Sequence, residues 1–249
     1  MRKESIFIRR LAIAIMFISL QLVCFLPFTC AEGVSISKGR QWEFTVFSNK
    51  VLSSYSTFTV VGQEQWQGQE TWVVKGQFTF FDKMLKGFDS EELLRFSLDY
   101  RLLYSELTTT FLGNVDTYLI QWNDTKGYVS QYKFAVGTTS EDKTPSSAPV
   151  YFIWPENSPF MIEILLSEGL IDYNKPFSVF MTNGIRTVTL IPKEEMELKT
   201  PGGTETVTAC EIPELKLVVY LSVEQRVVAL EDLGEGEISY QGNWGKQVK

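Results

Sequence analysis

The chain contains no histidine. That removes the commonest general base and the commonest side-chain metal ligand. A Ser-His-Asp or Cys-His nucleophile is excluded outright, and so is any zinc site built on an imidazole. Cysteine is nearly as scarce: Cys24, Cys30 and Cys210 are the 3 in 249 residues. Positive charge is in the minority, with 23 Lys and Arg against 30 Asp and Glu. Nucleic acid does not fit that balance as a partner.

The one long apolar run stands at the start. Arg2, Lys3, Arg9 and Arg10 precede Leu11 to Phe28, a stretch broken only by Ser19, Gln21 and Pro27. Thr29-Cys30-Ala31 follows, with small residues where a cut after Ala31 needs them. Basic start, apolar middle and small-residue site make residues 1–31 a secretory signal peptide. The run is also about 18 residues long, just enough to stay as an uncleaved membrane anchor. Either way the positive charges stay inside, which sends the rest out of the cytoplasm, to the periplasm or beyond the cell. Lipidation would need a Leu-small-small-Cys box, and neither Pro27-Phe28-Thr29 before Cys30 nor Gln21-Leu22-Val23 before Cys24 is one.

Without the leader, 218 residues remain, read as a single β-rich domain over 32–249. The leader takes four basic groups and one glutamate with it, so the mature net charge falls from −7 to −10. That favours solubility and argues against anionic lipid headgroups as main partners. Cys210 is then alone. No disulfide framework is available, and the core itself must hold the fold.

Most of the mature chain alternates with period two, the mark of half-buried strands. Trp42, Phe44 and Val46 alternate with Glu43, Thr45 and Phe47; Trp72, Val74, Phe78 and Phe80 share one parity across from Lys75, Gln77 and Thr79. Leu94, Phe96 and Leu98 continue the pattern, as do Tyr118, Ile120 and Trp122 before the Asn123-Asp124-Thr125-Lys126-Gly127 turn. Asn123-Asp124-Thr125 is formally a glycosylation sequon and is read as turn chemistry. Gly137 to Pro149, rich in Ser, Thr and Pro, reads as a loop. Asn183-Gly184 and Pro201-Gly202-Gly203 are hairpin corners.

One helix interrupts the strands. In "NSPFMIEILLSEGL", Ser158 suits the cap, Pro159 the first helical position and Gly169 the residue past the end. Its polar surface is so small that it packs over the sheet or plugs its open side. About a dozen strands are too many for one flat layer. The expected fold is therefore mainly β: a curved antiparallel sheet forming a half-barrel or open barrel, with one short helix packed in or over it.

The C-terminal third resembles a family of exported bacterial domains of unknown function. The carriers of that resemblance are "KEEMELKTPGGTETVTACEI", "LKLVVYLSVEQRVVALED" and "GEGEISYQ". The family's Ser-x-Asp-x-Arg turn reads Ser222-Val223-Glu224-Gln225-Arg226 here, with Glu for Asp, and Val227-Val228-Ala229 replaces its Leu-Pro-Val. Gly62 to Trp72 and Leu98-Asp99-Tyr100-Arg101 extend the likeness, so that it spans most of 40–242. Such domains are similar in architecture to the lipoprotein-carrier (LolA-like) half-barrels. That resemblance implies a curved sheet around a helix and an apolar cavity for lipid.

Catalytic candidates are few. Cys210 has no base to activate it and reads as a small buried hydrophobe. Glu91-Glu92, Glu194-Glu195 and Glu231-Asp232 are adjacent on strands, so the members of each pair point to opposite faces; they read as solvated edges. Arg101 and Arg226 follow turns and read as ties to carboxylates. No catalytic residue, metal or cofactor is expected.

The aromatic content, 14% of residues, remains. Phe44, Phe58, Trp72, Phe78, Phe80, Phe96 and Trp122 fall mostly on the Trp42 parity. Either they are packed core, or they line a cavity that sheet and helix leave unfilled. In the second case Phe152 and Trp154, before the helix, and Phe160 and Met161, within it, line the mouth, with Ile162 and Leu165 above the void. Two functions follow. One is a non-enzymatic cell-envelope protein that carries an acyl chain or a lipoprotein anchor, with the 137–149 loop or the helix controlling entry. The other is an assembly scaffold that binds an envelope protein through a sheet edge or an acidic face.

Overall fold

The structure, a computed structural model, describes residues 36–81, 88–134, 137, 139–153, 159–181 and 184–242. The leader 1–31, Trp154, Ser158 and Asn183 lie outside the described residues. Val34–Lys249 is a compact unit by itself.

Eight strands come first, joined as successive hairpins: β1 Gln41–Ser48, β2 Val51–Trp66, β3 Gln69–Phe80, β4 Phe88–Ser97, β5 Leu102–Phe111, β6 Asn114–Asn123, β7 Gly127–Lys133 and β8 Thr139–Thr144. A two-residue strand, β9 Tyr151–Phe152, precedes helix α1 at Pro159–Ser167. The chain then forms β10 Pro176–Met181, β11 Gly184–Thr189, β12 Ile191–Thr200, β13 Gly203–Ile212, β14 Leu217–Leu221, β15 Val227–Asp232 and β16 Glu237–Gln241.

Thirteen strands form one antiparallel sheet in the order β12-β13-β14-β15-β16-β1-β2-β3-β4-β5-β6-β7-β8. The long-range step is the pairing of β1 with β16, Phe44 opposite Gln241 through Ser48 opposite Glu237. It joins the first hairpins to the last ones. The fold is mainly β with one short helix, as the alternation implies, and the sheet does not close into a barrel. Its two edge strands are β12 and β8.

Strand spacing shows why the sheet must bend. Thirteen strands laid flat span roughly 58 Å, whereas a nine-residue helix is roughly 14 Å long. Yet residues from far-apart strands, Cys210 and Val219 at one side and Ile120 and Tyr128 at the other, belong to a single apolar cluster together with α1. The sheet wraps around the helix.

The gap between the edges is covered by a second sheet of three strands, β11-β10-β9. The β10–β11 pair is the hairpin signalled by Asn183-Gly184, with Met181 opposite Gly184. β9 joins β10 in parallel, and nothing local in the sequence marks that. Tyr128 fixes this insertion: its hydroxyl donates to Leu102 O at 2.8 Å and accepts from Val150 N at 2.9 Å. At one end of β11 a Cβ on Gly184 would sit 3.7 Å from Thr144 of β8. At the other end Thr189 N–H donates to Glu214 Oε2 at 3.3 Å. Side chains and loops, not a ladder, bridge the opening.

Residues 139–144 differ from expectation. They were expected in a loop, and they form edge strand β8, paired to β7 from Tyr128–Thr144 to Lys133–Thr139. Its sequence, TSEDKT, buries no face, so it carries no apolar alternation to read. Charged side chains on an edge also oppose further strand addition.

Candidate functional site

The expected cavity lining is where the geometry speaks most directly. Phe44, Phe58, Phe96, Phe152, Phe160, Met161, Ile162 and Leu165 are fully buried. Phe78 and Trp122 are buried, and Trp72 and Phe80 are partly buried against the same cluster. Rings fill the space: Trp42 stacks on Phe160 at 5.0 Å between centroids, and Phe58 lies 4.7 Å from Phe160. The helix plugs the sheet.

A helix apolar all round needs neighbours on every side. Its one ionisable residue must then find partners inside. Glu163 has no exposed surface. Its Oε1 accepts from Arg40 Nη2 at 3.1 Å and from Trp42 Nε1 at 3.0 Å. Its Oε2 accepts from the Val227 backbone N–H at 3.0 Å. Three bonds thus tie α1 to the start of β1 and to β15, which β16 separates. The Arg40 guanidinium also lies 4.8 Å from the Trp42 ring centre. The sequence signal for this knot is the lone carboxylate of "PFMIEILLS", which carries no mark of its partners.

A second buried carboxyl was misread. Of the pair Glu91-Glu92, expected to be solvated, Glu91 is exposed but Glu92 is buried. Alternation is the reason: Glu92 shares its parity with Leu94 and Phe96 on the inner face. Ser105 Oγ donates to its Oε1 at 3.1 Å, while Oε2 has no partner. Burial pushes its pKa up from 4.5 to about 7, with the Ser105 bond pulling slightly the other way. Gly76 stands opposite Glu92 on β3. A Cβ there would meet the Phe58 ring at 2.9 Å, so glycine is what lets that ring lie across the strand.

Cys210 is buried, as its sequence context implies, and desolvation raises its thiol to about 11. Arg101 is tied as expected, at 3.7 Å from Asp99, and also lies 3.8 Å from the Tyr151 ring centre. Arg226 instead donates to the Gln241 amide oxygen at 3.4 Å. The sequon residue Asn123 is engaged in its own turn, its Oδ1 accepting from Thr125 N–H and Oγ1 and from Lys126 N–H.

Two grooves lie on the surface at the end of the sheet that carries the β2–β3, β4–β5 and β14–β15 turns. One groove of about 740 Å³ runs between β1, the Ser222–Arg226 turn and the β12–β13 corner. Glu43, Glu205, Glu224 and Arg226 supply its charges, and Trp42 lines it. A second, of about 1000 Å³, lies among Asp99, Arg101, Asp124 and the 145–150 segment. Among the described residues the first is acidic on balance, three carboxylates to one guanidinium, and Trp42, whose indole donates to Glu163, is one of its lining residues.

No protein-family model matches the chain, and no curated protein matches it. Among solved structures it is similar to a β-barrel-like protein from Brucella abortus, itself a domain of unknown function, at 7% identity and a TM-score of 0.37. It is also similar to a protein from Bacteroides fragilis described as exported with a YmcC-like fold, at 10% identity and a TM-score of 0.26. A third, described as a lipoprotein, comes from Parabacteroides distasonis, at 10% identity and a TM-score of 0.27. Each similarity covers 82% of this chain and 94% of the other. The fold of this chain rests on its own strand pairing.

Proposed function

We propose that this chain is a non-enzymatic protein of the cell envelope that binds a protein partner at its surface. The 740 Å³ groove beside Trp42 would take a positively charged segment of that partner. The leader supports export. The surplus of Glu43, Glu205 and Glu224 over Arg226 supports a basic segment.

One observation carries the choice between scaffold and carrier: α1 occupies the interior with no space beside Phe160, Met161, Ile162 and Leu165. An acyl chain could enter only by displacing the helix. Exposing its five buried apolar side chains from Phe160 to Leu165 costs on the order of 10 kcal/mol, about what a dozen methylenes regain at ~0.8 kcal/mol each. The three bonds to Glu163 would be lost in addition. A lipid therefore gains nothing net by entering.

Native mass spectrometry of the purified mature protein, paired with solvent extraction, tests this. The expected spectrum is the bare polypeptide. A stoichiometric acyl-chain adduct would return the carrier reading to first place and remove the scaffold.

A further inference from the structure

We propose that the opposite end of the sheet is a lipid-contacting surface, where exposed Val51, Phe81, Leu112, Val115 and Phe134, at the strand ends beside the β1–β2, β3–β4, β5–β6 and β7–β8 turns, rest in the headgroup layer of a bilayer. Antiparallel order puts these four turns at one end. Ser48 faces Val51, Phe88 faces Phe111, Phe111 faces Asn114, and Lys133 faces Thr139.

The described residues at this end present apolar side chains to solvent. Val51 is 69% exposed, Phe81 42%, Leu112 76%, Val115 48% and Phe134 40%. Just inward lies a belt of rings: Phe80 to Phe88 at 5.3 Å, Phe88 to Phe111 at 5.7 Å, and Tyr132 to Phe134 at 6.1 Å. At the other end the turns read Gln67-Gly68, Asp99-Tyr100 and Asn123 to Lys126. Among the described residues, the large apolar ones exposed there are Leu98 and Val223.

The shape of this array selects its occupant. Eight strands place the outermost tips roughly 30 Å apart. Isolated apolar side chains on separate turns over that span suit a plane that each can enter alone, as interfacial aromatic and apolar residues do. Among the described residues of these tips, 49–51, 81, 111–115 and 133–134, the charges are Lys50 and Lys133, which suits phosphate headgroups. The neighbouring β15–β16 turn adds exposed Leu233 together with Asp232 and Glu235. Apolar entry leads the contact, and anionic lipid adds little to it. The partner-binding groove lies at the far end, so this surface stands or falls separately from it.

The test is flotation of Val34–Lys249 with phosphatidylcholine vesicles and with vesicles enriched in phosphatidylglycerol. Binding to both is expected. Leu112→Asp combined with Phe81→Ser, both at exposed sites, should lower it by at least about tenfold. Val223→Asp, as exposed but at the other end, should leave it unchanged. A polarity-sensitive dye on Leu112→Cys should shift to the blue on vesicle addition, since buried Cys210 stays unlabelled. The proposal is overturned if wild type floats with neither vesicle, if Val223→Asp weakens binding as much as the tip variant, or if the dye keeps its aqueous emission. It is equally overturned if sedimentation shows a dimer that Leu112→Asp dissociates without any lipid binding.

Discussion

Glu92 gives the sharpest quantitative test of the inner face. Its carboxyl is buried, has one bonded oxygen and one unpartnered oxygen, and is raised from 4.5 to about 7. An acid whose folded pKa lies above its unfolded value holds its proton more tightly when folded. Its contribution is therefore intact below the unfolded pKa and is lost as pH rises through the folded one. The full shift corresponds to roughly 3 kcal/mol. Between about pH 5 and pH 8 this one group should lower the unfolding free energy by about 2.5 kcal/mol. Glu92→Gln removes the titration while keeping an acceptor for Ser105, and it places an amide NH₂ where Oε2 now lies, at a cost of about 1 kcal/mol. The variant should thus be the less stable protein near pH 4 and the more stable one near pH 8. Urea unfolding followed by tryptophan fluorescence at both pH values reads this, with equal m-values as the condition for comparing midpoints. Crossing profiles are expected. Parallel profiles, or a wild type that gains on the variant as pH rises, would refute the buried-acid reasoning.

Three further outcomes follow from the packing. Glu163→Ala should cost about 3–5 kcal/mol in urea unfolding, since it leaves Trp42 Nε1 and the Val227 N–H without their acceptor and takes an anion from Arg40; Glu163→Gln should cost less, and its effect should be non-additive with Trp42→Phe. Gly127→Ala should loosen β8 from β7, because Gly127 has φ 74° and a Cβ there would meet Ser146 N and Thr144 O at 2.6 Å; faster hydrogen exchange confined to 139–144 checks it. Cys210 should react with a thiol reagent at about pH 8 only as fast as the protein opens, and rapid labelling of the native protein would contradict its burial.

Much of this architecture could be read from the residues, and the limits follow the range of each signal. Alternation is local, so it located Trp42-Phe44-Val46 and Trp72-Val74-Phe78 on inner faces correctly. Turn chemistry is local too. Thr200 to Gly203 forms the corner the sequence implies, with Thr200 Oγ1 bonded at both Gly202 N and Gly203 O, and Gly169 ends α1 at φ 66°. What could not be read is long-range. Nothing near Phe44 signals its pairing with Gln241, and nothing near Tyr151 signals a parallel step beside Val179. Edge strand β8 escaped because a strand that buries neither face has no pattern to display.

The choice between carrier and plug turns on something finer than fold. The same half-barrel serves either role, and the same apolar helix could roof a void or fill it. An aromatic-rich inner face is equally silent, since core and ligand cavity draw on the same residues. Glu163 is where the two diverge physically. In a helix that only roofs a cavity, a lone carboxylate sits best on the outer, watered side. In a helix enclosed on all sides it must be bonded to donors brought from distant strands. Arg40, Trp42 and the Val227 amide are those donors, and they lie more than 60 residues away on either side. Sequence alone presents the acid without its partners, so the enclosure becomes visible only once the sheet has curled and the three arrive together.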